Sequence, residues 1–129
     1  MTGATAAAGT AKKILIVDDS PTERQFLLEM LTSSGYQCVT AENGDEAVAK
    51  SKSERPDVIV MDVVMPGVNG FQATRTIARD ASTRHIPVIL CTSKSQETDK
   101  VWGMRQGAQA YIVKPIKAKE LLDKIVALP

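Results

Sequence analysis

Asp57-Val58-Ile59-Val60-Met61-Asp62-Val63-Val64-Met65-Pro66-Gly67 is the stretch on which the fold turns. Val58 to Met61 run without polar alternation up to a carboxylate, and a Pro-Gly turn follows. A short run rich in Val and Ile predicts a strand buried on both faces, as in a parallel sheet covered by helices on either side. Asp62 then stands at the carboxyl end of a central strand, the edge at which open α/β sheets hold their ligands.

The same reading extends outward in both directions. Upstream, Lys13 to Val17 form a first buried strand that ends on Asp18-Asp19. Ser20-Pro21-Thr22-Glu23 opens a helix, with Ser20 as N-cap, Pro21 at the first helical position and Glu23 closing a capping box. Phe26, Leu27, Met30 and Leu31 repeat at helical spacing, and Gly35 provides the stop. Residues 36–41 read as a second strand. Asn43 then caps a helix carrying Ala47, Val48 and Ser51 that ends before Pro56. Downstream of Asp62, Asn69 caps a helix with Phe71, Thr74, Ile77 and Ala78. Residues 87–91 form a fourth strand ending on Thr92-Ser93. A helix over 97–106 follows, weakened by Gly103 by about 1 kcal/mol relative to Ala. Residues 111–113 form a fifth strand ending on Lys114-Pro115, and a last helix presents Leu121, Leu122, Ile125 and Val126 on one face. Five strands alternating with five helices predict an α/β domain with a parallel sheet and right-handed crossovers.

Composition narrows the function. At 129 residues and 13.9 kDa there is room for one domain; residues 1–11 read as a disordered leader of small residues and 12–129 as the domain. Sixteen basic residues against fifteen acidic ones, a formal charge of +1, argue against nucleic acid or an anionic membrane as main partner. No apolar run approaches the roughly 20 residues of a membrane span, and the opening MTGATAAAGTAK lacks the pattern of a signal peptide. Cys38 and Cys91 have no metal-ligand spacing. Free buried thiols and a cytoplasmic protein are therefore expected. His85, without a histidine partner, is expected at the surface.

In a parallel sheet the carboxyl ends of the strands share one edge, which brings together Asp18, Asp19, Asp62, Thr92 and Lys114. Each alone has an ordinary structural reading: a solvated strand end, a turn hydroxyl, a loop start. Together they make a chemistry. Clustered carboxylates raise one another's pKa unless a cation sits among them, and an all-oxygen donor set suits Mg²⁺. A carboxylate can then attack phosphorus to form an acyl phosphate, with Lys114 supplying positive charge and Thr92 a hydroxyl donor.

LIVDDSP (15–21), DVIVMDVVMPGVNGF (57–71), PVILCTSK (87–94) and AYIVKPI (110–116) resemble the receiver domain of two-component response regulators, the CheY-like family, and the resemblance covers Lys12 to Leu128. It implies a flavodoxin-like (βα)5 fold with strand order 2-1-3-4-5. It also implies Asp62 as phosphoacceptor, and Mg²⁺ held by Asp18, Asp19, Asp62 and the backbone carbonyl of Val64. By the same resemblance Thr92 is the switch hydroxyl, Tyr111 the switch aromatic, and Lys114 the phosphate-binding lysine before a cis Pro115. Val64 offers no side chain to position the water that attacks the acyl phosphate, whereas Lys94 is expected to reach the phosphoryl group from its loop. GFQATR (70–75) and SQETDKVWGMRQGA (95–108) resemble, more narrowly, single-domain regulators of chemotaxis-like systems that govern type IV pili and twitching motility. The implied partners are a chemotaxis-type histidine kinase and an unidentified output protein. The output protein would dock on the last two helices and fifth strand, the face expected to carry Lys100, Met104, Tyr111 and Lys124. Trp102 is either an anchor for a partner or ordinary half-buried packing. Two further readings compete: a phosphate sink draining a shared kinase, and an Asp-nucleophile phosphohydrolase. Val64 speaks against the second, since it occupies the position where dehalogenase-type phosphatases carry their general acid. The activity implied is therefore self-catalysed phosphotransfer and autodephosphorylation rather than that of an enzyme.

Overall fold

The computed structural model describes residues 12–93 and 97–128; the expected leader and Lys94 lie outside them. Five strands, β1 (Lys13–Val17), β2 (Gln37–Ala41), β3 (Val58–Asp62), β4 (Val88–Thr92) and β5 (Ala110–Val113), alternate with five helices. The helices are α1 (Pro21–Ser33), α2 (Gly44–Ser53), α3 (Gly70–Arg79), α4 (Glu97–Arg105) and α5 (Ala118–Val126). All strand pairs are parallel and the order is β2-β1-β3-β4-β5, the flavodoxin-like arrangement. No helix among the described residues is long and apolar enough to cross a membrane.

The period-two geometry of a strand splits each apolar run between two cores. Leu15, Val17, Ile59, Met61, Val88 and Leu90 face one core with Ala47, Ala73 and Ile77. Ile14, Ile16, Val58, Val60, Ile89 and Ile112 face the other with Leu27, Leu31, Leu121 and Ile125. Every residue of β3 is buried, which is why its sequence shows no alternation. Each Leu or Ile so enclosed contributes about 1.5–3 kcal/mol relative to exposure, so these two layers hold the strand ends in place for the chemistry.

The helix starts follow their caps, with one correction. Asn43 accepts from the Glu46 amide at 2.8 Å, and Asn69 forms a complete capping box with Gln72. Ser20 accepts from the Glu23 amide at 3.3 Å, but the expected box does not close. The Ser20 amide donates instead to the Asp18 carboxylate at 2.9 Å, and the Glu23 side chain turns to the Lys114 ammonium. A full positive charge outcompetes an amide already taken.

Three expectations about packing also change. On α1, Leu27 and Leu31 enter the core while Phe26 stays 52% exposed, because it lies about 100° round the helix from Leu27. Val126 is likewise exposed, and Leu121 and Ile125 alone bury α5 fully. Cys38, on the edge strand β2, is only half-buried, although it and Cys91 are both free thiols; His85 is exposed.

Candidate functional site

Register brings the strand-end residues to one place. Val17 lies opposite Met61, so Asp18 is level with Asp62; Asp62 lies opposite Cys91, and Thr92 opposite Val113. Lys114 therefore emerges one step beyond Thr92. Backbone bonds fasten these ends: the Val63 amide to Cys91 O at 3.1 Å, and the Lys114 amide to Thr92 O at 2.7 Å. The Lys114–Pro115 peptide is cis. Asp18 is held from two sides, its carboxylate by the Ser20 amide and its carbonyl by Arg24 at 2.9 Å.

Gly70 is a further determinant of this edge. Its amide donates to Val63 O at 2.9 Å, and a Cβ there would collide with Asp62 O and the Val63 Cα. The first turn of α3 thus rests on the backbone of Asp62 itself, an approach only glycine permits.

One carboxylate oxygen from each of Asp18, Asp19 and Asp62 lies within 4.8 Å of the others. The Lys114 ammonium stands 3.1 Å from Asp18, 3.2 Å from Asp62 and 2.5 Å from Glu23. Asp18 and Asp62 are buried, and Asp19 is exposed. Burial pushes the Asp62 carboxyl up from 3.8 to about 6; the Lys114 charge opposes this, and the Asp18 charge adds to it. For Lys114, burial disfavours the ammonium, but the Glu23 hydrogen bond and the charges of Asp62 and Asp18 outweigh it and raise the pKa. Cys91, beneath the site, is pushed up to about 12 by burial and remains an inert thiol.

Three carboxylates thus surround one ammonium, with Asp19 beside Asp18 and Asp62, and negative charge is in excess. The donor set is oxygen only, with no imidazole or thiolate among the three clustered residues. That chemistry fits a hard divalent cation of the Mg²⁺ type. Thr92 is fully buried at the end of β4, one residue beyond Cys91, the partner of Asp62 in the sheet. Val64 follows with its side chain 53% exposed and adds no polar group to the mouth.

The site includes a residue that sequence reasoning placed elsewhere. Glu23 was expected to act within its own helix turn; its partner is Lys114, from the far end of the chain. Only the cap motif was visible locally, so no sequence signal distinguished the two. Glu23 also borders a cleft of about 540 Å³ together with Phe26, Leu27, Ser93, Lys114, Pro115 and Ile116.

The expected switch and output residues lie on β4, α4, β5 and α5. Tyr111 pairs with Leu90, two residues before Thr92, so it is not at a strand end. Its side chain is 8% exposed and belongs to the core beneath α4. Burial, with the Asp99 charge, raises its pKa. Gly103 makes the space: a Cβ there would stand 3.0 Å from Leu90, 3.1 Å from Phe71 and 3.3 Å from Tyr111. Gly103 is therefore a contact point of α4 and not only a weak position in it. Lys100 and Met104 are exposed on α4, Lys124 is half-buried on α5, and Trp102 is exposed.

Residues 14–126 match the family model of the response regulator receiver domain. The chain is 57% identical to protein PilH of Pseudomonas aeruginosa over 116 residues, 90% of this chain and 96% of that protein. Among solved structures it resembles the chemotaxis protein CheY4 of Vibrio cholerae, with a TM-score of 0.86 and 33% identity over 92% of this chain and 99% of that one. It also resembles the receiver domain of the sensor histidine kinase PA1611 of Pseudomonas aeruginosa, solved with a magnesium ion coordinated in its active-site cleft. There the TM-score is 0.81, with 32% identity over 88% of this chain and 93% of that one.

Proposed function

The chain belongs to the response regulator receiver family, and from that premise we propose that Asp62 is its phosphoacceptor. The family is one of response regulators and not of classical enzymes, and membership implies a cognate histidine kinase as donor. The observation that carries the proposal is the convergence of Asp18, Asp19 and Asp62 within 4.8 Å, with the Lys114 ammonium 3.2 Å from Asp62.

In the transfer, an Asp62 carboxylate oxygen attacks the phosphorus of a phosphohistidine. The new P–O bond forms as the P–N bond breaks, and the electron pair returns to the imidazole. Lys114 balances charge on the phosphoryl oxygens, and the Thr92 hydroxyl donates to one of them. Receiver domains bind Mg²⁺ at this acidic pocket, where it neutralises phosphoryl charge. In this chain Asp18, Asp19, Asp62 and the Val64 carbonyl would hold it. Water then attacks the phosphorus of the acyl phosphate, inorganic phosphate leaves, and Asp62 returns to its carboxylate.

The receiver unit spans residues 12–129 and acts in the cytoplasm. Its donor is a chemotaxis-type kinase in a pathway controlling type IV pili and twitching motility; the identity with PilH supports this reading. Its output face is that of α4, β5 and α5, with Thr92 and Tyr111 as the switch and Lys100, Met104 and Lys124 at the surface. The test is transfer of labelled phosphate from an autophosphorylated kinase of this type. The wild-type chain takes the label, and Asp62→Asn does not because an amide cannot form the acyl phosphate. Full labelling of Asp62→Asn would move the acceptor elsewhere.

A further inference from the structure

We propose that Glu23 is a positioning residue of the phosphotransfer site: it holds the Lys114 ammonium in the unphosphorylated chain and competes with the phosphoryl group for it. This rests on the reading of Asp62 as phosphoacceptor. Glu23 sits in the first turn of α1, where its side chain had a local option, the Ser20 amide. It leaves that option to Asp18 and makes the shortest of the three contacts to Lys114, 2.5 Å against 3.1 and 3.2 Å.

An ammonium has three donors and no more, and in this chain three carboxylates surround it. A phosphoryl group on Asp62 takes the place of that carboxylate as a partner but carries its charge further out, so Lys114 has to move towards it and its contacts to Asp18 and Glu23 are stretched. Asp18 is buried, and its carboxylate is pinned by the Ser20 amide. Glu23 has a side chain 47% exposed, while that of Lys114 is 15% exposed. Of the two, Glu23 is released at the lower cost because water replaces the lost contact. Until it is released, its negative charge faces the incoming phosphoryl group from the same ammonium. Glu23 therefore sets the threshold at which Lys114 changes partner.

The test uses fluoroberyllate, a phosphoryl analogue, titrated into the full chain at saturating Mg²⁺ and read by fluorine NMR of the bound ion. Saturating metal keeps the loss of one carboxylate from acting through cation affinity. Glu23→Gln keeps the side-chain length and removes the charge. It is expected to bind fluoroberyllate about threefold to fivefold more tightly than wild type, the scale set by loss of one part-exposed ion pair. Glu23→Ala should show the same gain, and thermal unfolding establishes that both variants fold. In a Lys114→Met background the gain should vanish, since there is no ammonium to contest. Equal or weaker binding by both Glu23 variants overturns the proposal, as does a gain that survives in Lys114→Met. A wild-type chain that binds no fluoroberyllate at all counts instead against Asp62 as the acceptor.

Discussion

Replacing Asp62 by Asn should stabilise the metal-free protein while abolishing phosphorylation. In the folded chain the Asp62 carboxyl is raised from 3.8 to about 6, first by burial, with Lys114 opposing and Asp18 adding. The folded state thus binds this proton more tightly than the unfolded chain does. Between about pH 4 and pH 6 the native state carries the extra proton, and stability falls as pH rises through that window. Above it the whole penalty is present. At 1.36 kcal/mol per pKa unit the penalty is about 2–3 kcal/mol, with the lower figure allowing for residual water contact. An amide mimics the neutral carboxyl and escapes it, and Lys114 keeps Asp18 and Glu23 as partners. For a domain of this size the gain amounts to roughly 10 °C in melting temperature. The assay is thermal unfolding by circular dichroism in a chelator, for both proteins, from about pH 4 to pH 8. The difference should grow with pH and level off above about pH 6. Added Mg²⁺ should close the gap, because wild type gains about 1.4 kcal/mol per decade of metal above its Kd and the variant has lost a ligand. A variant that melts at or below wild type at about pH 8 in chelator would refute burial as the dominant influence on Asp62.

Gly70→Ala should destabilise the fold by about 1–3 kcal/mol and slow phosphorylation, since the new methyl group meets the backbone of Asp62 and Val63, which cannot step aside. Chemical denaturation and the labelling assay measure the two effects, and wild-type values in both would remove Gly70 from the site's support. Gly103→Ala gains about 1 kcal/mol of helix propensity but crowds Leu90, Phe71 and Tyr111. Its stability should stay near that of wild type while the Tyr111 ring resonances move; the full gain with an unmoved ring would contradict the close packing of α4. Chelation of Mg²⁺ should stop both phosphotransfer and dephosphorylation with helical content unchanged, and unaltered rates would break the reading of Asp18 and Asp19. Thr92→Ala should leave Asp62 phosphorylatable but uncouple it from α4 and β5. Backbone chemical shifts with and without fluoroberyllate test this: equal changes in variant and wild type would dismiss Thr92 as the switch, and none in wild type would favour the phosphate sink.

Some of this protein is legible one residue after another. Val58 to Met61 declare a strand buried on both faces, and Asn43 and Asn69 declare helix starts, because burial periodicity and capping act over a few neighbouring residues. From five such strands, a parallel sheet collects Asp18, Asp62, Thr92 and Lys114 at one edge whatever the loops do. The acidic site is therefore legible in the sequence itself. Other features depend on which atoms meet across the chain. Glu23 carried a valid cap signal, and only the arrival of Lys114, with Asp18 already on the Ser20 amide, decided against it. Phe26 belongs with Leu27 to the apolar pattern of α1, yet where the sheet meets α1 determined that Leu27 was buried and Phe26 left exposed at a cleft. Gly103 looks like a flaw in α4 until Leu90, Phe71 and Tyr111 are seen within reach of a missing Cβ. A side chain's local preferences belong to the sequence, but its choice among competing partners is made by charge and space that only the tertiary structure assembles.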